Sequence, residues 1–118
     1  MEKKQLIITA DDYGMCTIVD RAIDDCIEAG LLTSTNVIVN MEDLEAARTL
    51  RQRYPDISVG LHWNVTAGKP VSDPIQVPTL IDNNTGCFWK VPAFLKRFKS
   101  GAINKKELKK ELLAQYKV

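Results

Sequence analysis

Over its first 62 residues the chain alternates short, β-branched runs with amphipathic stretches, and few folds accommodate that alternation. Residues 6–10 have the length of a buried strand. Across residues 15–29, Ile18, Val19, Ala22, Ile23, Cys26 and Ile27 recur at helical spacing, while Asp20, Arg21, Asp24, Asp25 and Glu28 fill the other face. Gly30 supplies a helix stop. Residues 33–39 read as a second strand, with the hydroxyls of Thr33, Ser34 and Thr35 belonging to strand rather than site. Asn40 reads as the cap of a helix over 41–53 that buries Leu44, Ala47 and Leu50, and residues 57–61 as a third strand. Strand, helix, strand, helix, strand predicts an α/β fold with three parallel strands, flanking helices and right-handed crossovers.

The second half changes character. Residues 64–91 lose periodicity, and Gly68, Pro70, Pro74, Pro78, Asn83, Asn84 and Gly86 mark a long irregular segment with a turn at 83–86. Two helices follow, over 92–99 and 104–116. The latter opens on Asn104 with Glu107 three residues on, and carries Leu108, Leu112, Leu113 and Tyr116 as its apolar stripe. Its Lys105, Lys106, Lys109 and Lys110, interspersed with Glu107 and Glu111, read as a solvated face.

Sixteen basic and 15 acidic residues in 118 leave a net charge of +1, which gives no field for nucleic acid or an anionic membrane. No apolar stretch approaches the roughly 18 residues a membrane span needs. A strand-length run after the first four residues does not resemble a signal peptide, which leads to the expectation of a cytoplasmic protein. Cys16, Cys26 and Cys87 show no paired spacing, so reduced, buried thiols are expected.

Chemistry concentrates at the ends of two strands. Asp11 and Asp12 follow the first apolar run directly, and His62, the only histidine, follows the third. In a parallel sheet these side chains meet at the carboxyl edge, where α/β folds place their sites. The carboxylates have two readings: a capping pair at a helix start, or one divalent-metal ligand beside one general base. His62 is likewise either structural or a metal ligand. Gly14 reads as a turn residue after the strand. Trp89, in the irregular segment, is a candidate platform for a sugar ring.

Three ordered motifs carry a resemblance: residues 8–14 (ITADDYG), 30–35 (GLLTST) followed by Asn40, and 60–70 (GLHWNVTAGKP). With the segments 79–88 and 111–115 they resemble the YdjC/ChbG-like carbohydrate deacetylases, which include chito-oligosaccharide deacetylases. The resemblance implies a single domain forming the N-terminal half of a barrel-like (β/α) deacetylase. Asp12 and His62 would ligate a divalent ion, Mg2+ or Zn2+, and Asp11 would be the general base. The implied reaction is hydrolysis of an N-acetyl group on an amino sugar or chito-oligosaccharide. Family members are about twice as long, and the resemblance places a His-rich motif with further metal and catalytic residues beyond Val118. The 118 residues alone would then carry half a site and no activity.

Two other readings stay open at this level. A receiver-like, Mg-binding signalling domain shares the acidic pair, although His62 stands where its acceptor Asp belongs. A non-catalytic, self-associating module is the other. Because three parallel strands leave an unpaired edge, the half-barrel reading leads to the expectation of a homo-oligomer, or else of a poorly stable monomer prone to aggregation.

Overall fold

Pairing of the first two strands begins where side chains and backbone of both can engage. In the computed structural model, which describes residues 5–118, Ser34 pairs with Thr9 and the main chain of Ile8 accepts from the amides of Thr33 and Ser34. The first strand, β1, is therefore Thr9–Tyr13, later than the apolar run suggested. Leu6 and Ile7 are exposed, and Asp11 and Asp12 lie inside the strand instead of following it. The chain divides into two units, one ending at His62 and one beginning at Trp63. Each is described in its own frame.

In the first unit β1 leads to α1 (Thr17–Glu28), β2 (Ser34–Val37), α2 (Leu44–Arg53) and β3 (Ser58–Leu61), in the parallel sheet order β1-β2-β3. The helix boundaries depart from expectation in instructive ways. Cys16 stands at the N-cap of α1 without a side-chain bond, so the aspartate pair does not cap this helix. Asp43, accepting from the amide of Ala46, caps α2 in the place expected of Asn40. Gly30 ends α1 as expected: its amide reaches Ile27 and that of Leu31 reaches Cys26, the paired bonds of a Schellman motif.

The core of this unit is Tyr13, Ile23, Ile27, Val37 and Leu50, supported by Ala10, Val19, Ala47 and Val59. Two residues of α1 exchange their expected places. Ile18 is 81% exposed, and Asp20 is 3% exposed with Oδ1 accepting the amide of Gly14 at 2.7 Å. The chain must turn sharply between β1 and α1, and that turn leaves an amide needing a buried acceptor. Gly14 has φ +90°, and a Cβ there would press on the carbonyl of Ile38, so only glycine fits.

The second unit contains a short hairpin, β4 (Ile81–Asp82) and β5 (Cys87–Phe88), then α3 (Val91–Lys99) and α4 (Lys105–Tyr116). The turn at 83–86 is the hairpin's turn. Val77, Leu80, Ile81, Phe88 and Ile103 form its core. The stripe read along α4 holds only in part: Leu108 packs on this core and Leu112 is half-buried, but Leu113 and Tyr116 are 48% and 73% exposed, whereas Glu111 and Gln115 are fully enclosed. The reason lies in the irregular segment, whose amides have no ladder partners. Glu111 accepts from Val71 and Ser72, both at 2.9 Å, and Gln115 from Asn64 at 3.0 Å. Glu107 accepts the amide and hydroxyl of Thr79. Asn104 does cap α4, through the amide of Lys106. All three cysteines are free, as expected, though half-buried.

Candidate active site

The site is built on a fault in β1. Register with β2 slips between Ala10 and Tyr13, and Asp12 adopts φ +74°, a left-handed conformation that costs an L-residue free energy. In a regular strand Asp11 and Asp12 would face opposite sides of the sheet. A bulge re-aims side chains, and here it lets both carboxylates engage groups from the neighbouring strands.

Asp12 Oδ1 lies 3.0 Å from His62 Nδ1. The backbone of His62 is fixed by its amide, which donates to Val37 at the end of β2, so β3 delivers the imidazole to the same sheet edge. The Nδ1 atom is itself buried and has no hydrogen bond of acceptable geometry, even toward Asp12. The short separation is thus a convergence of two donor atoms. Both side chains are more than a third exposed, which leaves the pair open to solvent. One imidazole nitrogen and one carboxylate oxygen form a donor set that fits a divalent ion in part, since a catalytic zinc site takes three protein ligands. Among the described residues no group of three His, Cys, Asp or Glu gathers at one point.

Asp11 is exposed and stands next to this pair, with Oδ1 accepting from Asn36 Nδ2 at 2.7 Å. Sequence reasoning passed over Asn36. Its signal was present, because asparagine is a poor strand residue and sits between Thr35 and Val37 in the middle of β2. Thr35 itself is buried, its hydroxyl donating to the carbonyl of Ala10.

Trp89 belongs to the second unit. Its indole N–H donates to the carbonyl of Thr79, the partly buried residue packs against the core cluster of this unit, and the Arg97 guanidinium lies 4.3 Å from the ring centroid. One face of the ring is therefore taken by a cation–π contact.

An α/β sheet with a bulged carboxylate pair and an imidazole at its carboxyl edge defines the class of this chain. Comparison with known proteins narrows it. The model of the YdjC-like protein family matches residues 5–118, and the chain belongs to that family. It is 34% identical to a carbohydrate deacetylase of Xenopus laevis, over 97% of this chain and 37% of that protein. It is 31% identical to a chitooligosaccharide deacetylase of Yersinia pestis (strain Pestoides F), over 97% and 43%. A crystal structure from Enterococcus faecalis V583, described as a candidate cellobiose-phosphate cleavage protein, superposes with a TM-score of 0.82 at 32% identity, covering 97% of this chain and 42% of that one. The α/β fold is thus shared with that structure, in keeping with the barrel-like architecture the resemblance implied. The chain spans about two fifths of the length of these relatives.

Proposed function

We propose that this chain contributes the base and two metal ligands to a metal-dependent deacetylase acting on N-acetylated amino sugars or chito-oligosaccharides. The observation that carries the reading is the 3.0 Å approach of Asp12 Oδ1 to an otherwise unpartnered His62 Nδ1, beside the exposed Asp11. A divalent ion, Zn2+ or Mg2+, would supply Lewis-acid polarisation of the acetamide carbonyl when bound between Asp12 and His62. Asp11 accepts the proton of the attacking water, for which an exposed carboxylate with one free oxygen is suited. The products are acetate and a free amino sugar. Protonation of the departing amine needs a general acid, and a third ligand is needed for the ion; in this reading both come from residues outside these 118. A cytoplasmic setting, and self-association through the β1 and β3 edges of the sheet, belong to the same proposal.

Acetate release from N-acetylated chito-oligosaccharides tests it. The protein at full natural length should release acetate, Asp11→Asn should abolish this, and the 118 residues alone should release none. Equal rates from the short and full-length forms would overturn the half-site argument. Undiminished release by Asp11→Asn would overturn the assignment of the base.

A further inference from the structure

Beside the carboxylate pair, three residues line up across the sheet, one from each strand. Register sets Ala10 against Thr35 and Asn36 against Gly60. Side chains alternate along β2, so Asn36 projects from the face opposite Thr35 and Val37, both of which are buried. There its Nδ2 donates to Asp11 Oδ1 at 2.7 Å. The other end of the same carboxamide, Oδ1, lies over Gly60 so closely that a Cβ at that position would overlap it. The backbone of Gly60 is not in the left-handed region, so conformational freedom does not explain the glycine. Space for the Asn36 side chain does.

An exposed aspartate turns freely about its terminal torsion, which is broad and roughly two-fold. A single donor on Oδ1 ends that freedom and leaves Oδ2 as the oxygen presented outward. We propose that Asn36 is a positioning residue for Asp11, seated in the gap left by Gly60, and that it fixes which carboxylate oxygen receives the proton. This rests on the reading of Asp11 as the base. Asn36 touches neither the substrate nor the ion in this scheme; it acts through Asp11.

The test is a double-mutant cycle in the full-length protein, with acetate release from N-acetylated chito-oligosaccharides as one readout. Displacing a reacting group by about 1 Å can cost ~10²-fold, and an unpinned carboxylate that still visits the right orientation should lose about 10-fold. Asn36→Ala is therefore expected to lower kcat by about 10-fold with KM unchanged. Gly60→Ala should do the same by pushing the carboxamide aside, and the double variant should be no worse than either single one. A purely structural role would instead lower the melting temperature and leave kcat of the folded fraction alone. If Asn36→Ala melts early, Gly60→Ala keeps the side chain and still tests the displacement. The second readout is independent of activity: the Asn36 side-chain amide protons, followed by NMR in metal-free protein, should shift in both Asp11→Ala and Gly60→Ala. Loss of activity in Asp11→Ala combined with wild-type kcat in Asn36→Ala and unmoved amide signals would overturn the positioning role alone. Wild-type activity in Asp11→Ala would remove the base, and Asn36's role with it.

Discussion

The two units solve the problem of buried backbone in opposite ways. In the unit ending at His62, amides and carbonyls pair in a parallel ladder and in helices, and the interior is left to Tyr13, Ile23, Ile27, Val37 and Leu50. In the unit beginning at Trp63, a long segment crosses without a ladder. The side chains of α4 turn inward to serve its amides: Glu111 for Val71 and Ser72, Glu107 for Thr79, Gln115 for Asn64. Irregular backbone under cover must find partners somewhere, and polar side chains are the remaining source. Where the ladder is complete the helices can be apolar inside. Where it is missing, a helix gives up its buried positions to acceptors.

The largest expected effect tests whether the site chemistry is confined to the first unit. On the proposed reading, His62→Ala should abolish divalent-ion binding measured by calorimetry, because it removes one of the two donors that converge among the described residues. The same protein with Leu113→Ala, an exposed position of α4, should bind as wild type does. Unchanged stoichiometry in His62→Ala would sink the ligand assignment.

Next in size are paired core deletions. Leu50→Ala removes a fully buried side chain and should cost about 3 kcal/mol in denaturant unfolding, as large-to-small core changes do. Glu111→Ala should cost about as much, roughly 3 kcal/mol, because it strands two amides and removes one of the two acceptors of Gln115 Nε2, which donates to Glu111 at 2.8 Å. A negligible cost for Glu111→Ala would mean that the polar interior of the second unit is incidental.

The same contrast explains what could be read from the residues alone. Periodicity found the three strands and both helices of the first unit because an apolar interior and a regular ladder leave a repeating trace. It placed His62 at the end of β3 for the same reason. Periodicity failed at Asp20 and in α4, where buried carboxylates answer to amides that are near in space and distant in sequence. It also missed the bulge. Nothing in the order Thr9-Ala10-Asp11-Asp12-Tyr13 announces a φ of +74° at Asp12, which depends on how β1 meets β2. Asn36 was visible as an odd strand residue, but its role needs the absent side chain of Gly60.

Asp20 offers an effect of pH, because it is the first unit's own exception to an apolar interior. Burial pushes its carboxyl above the ordinary value of 3.8, opposed by the Gly14 amide and reinforced by the nearby Asp43. A raised folded-state value means that the folded protein holds this proton more tightly than the unfolded chain. Stability should therefore fall as pH rises from the ordinary aspartate value through the raised one, and level off above it. Asp20→Asn keeps an oxygen for Gly14 and carries no charge, so it should flatten that slope and raise the melting temperature at neutral pH. A parallel pH dependence in wild type and variant would assign the slope to other groups.

The smallest effect comes from deleting one hydroxyl in each unit. Tyr13 is fully enclosed, and its hydroxyl donates to Asp24 and accepts from Arg53. Burial, opposed by Arg53 and reinforced by Asp24, pushes its pKa up to about 12, so the group stays a neutral donor well into the alkaline range. Tyr13→Phe keeps the ring and leaves Asp24 and Arg53 paired with each other at 2.8 Å, so the loss should be only about 1 kcal/mol. Thr79 in the second unit has no such reserve. Its hydroxyl donates to Glu107 and accepts the amide of Asn104, and so ties the irregular segment to the start of α4. Thr79→Val preserves shape yet strands that amide, which should cost more than Tyr13→Phe, about 1 to 2 kcal/mol. The order of the two values carries the comparison: a hydroxyl between side chains is replaceable by its own partners, whereas one that serves the main chain is not. Equal or reversed costs would show that the second unit does not depend on side chains to satisfy its backbone.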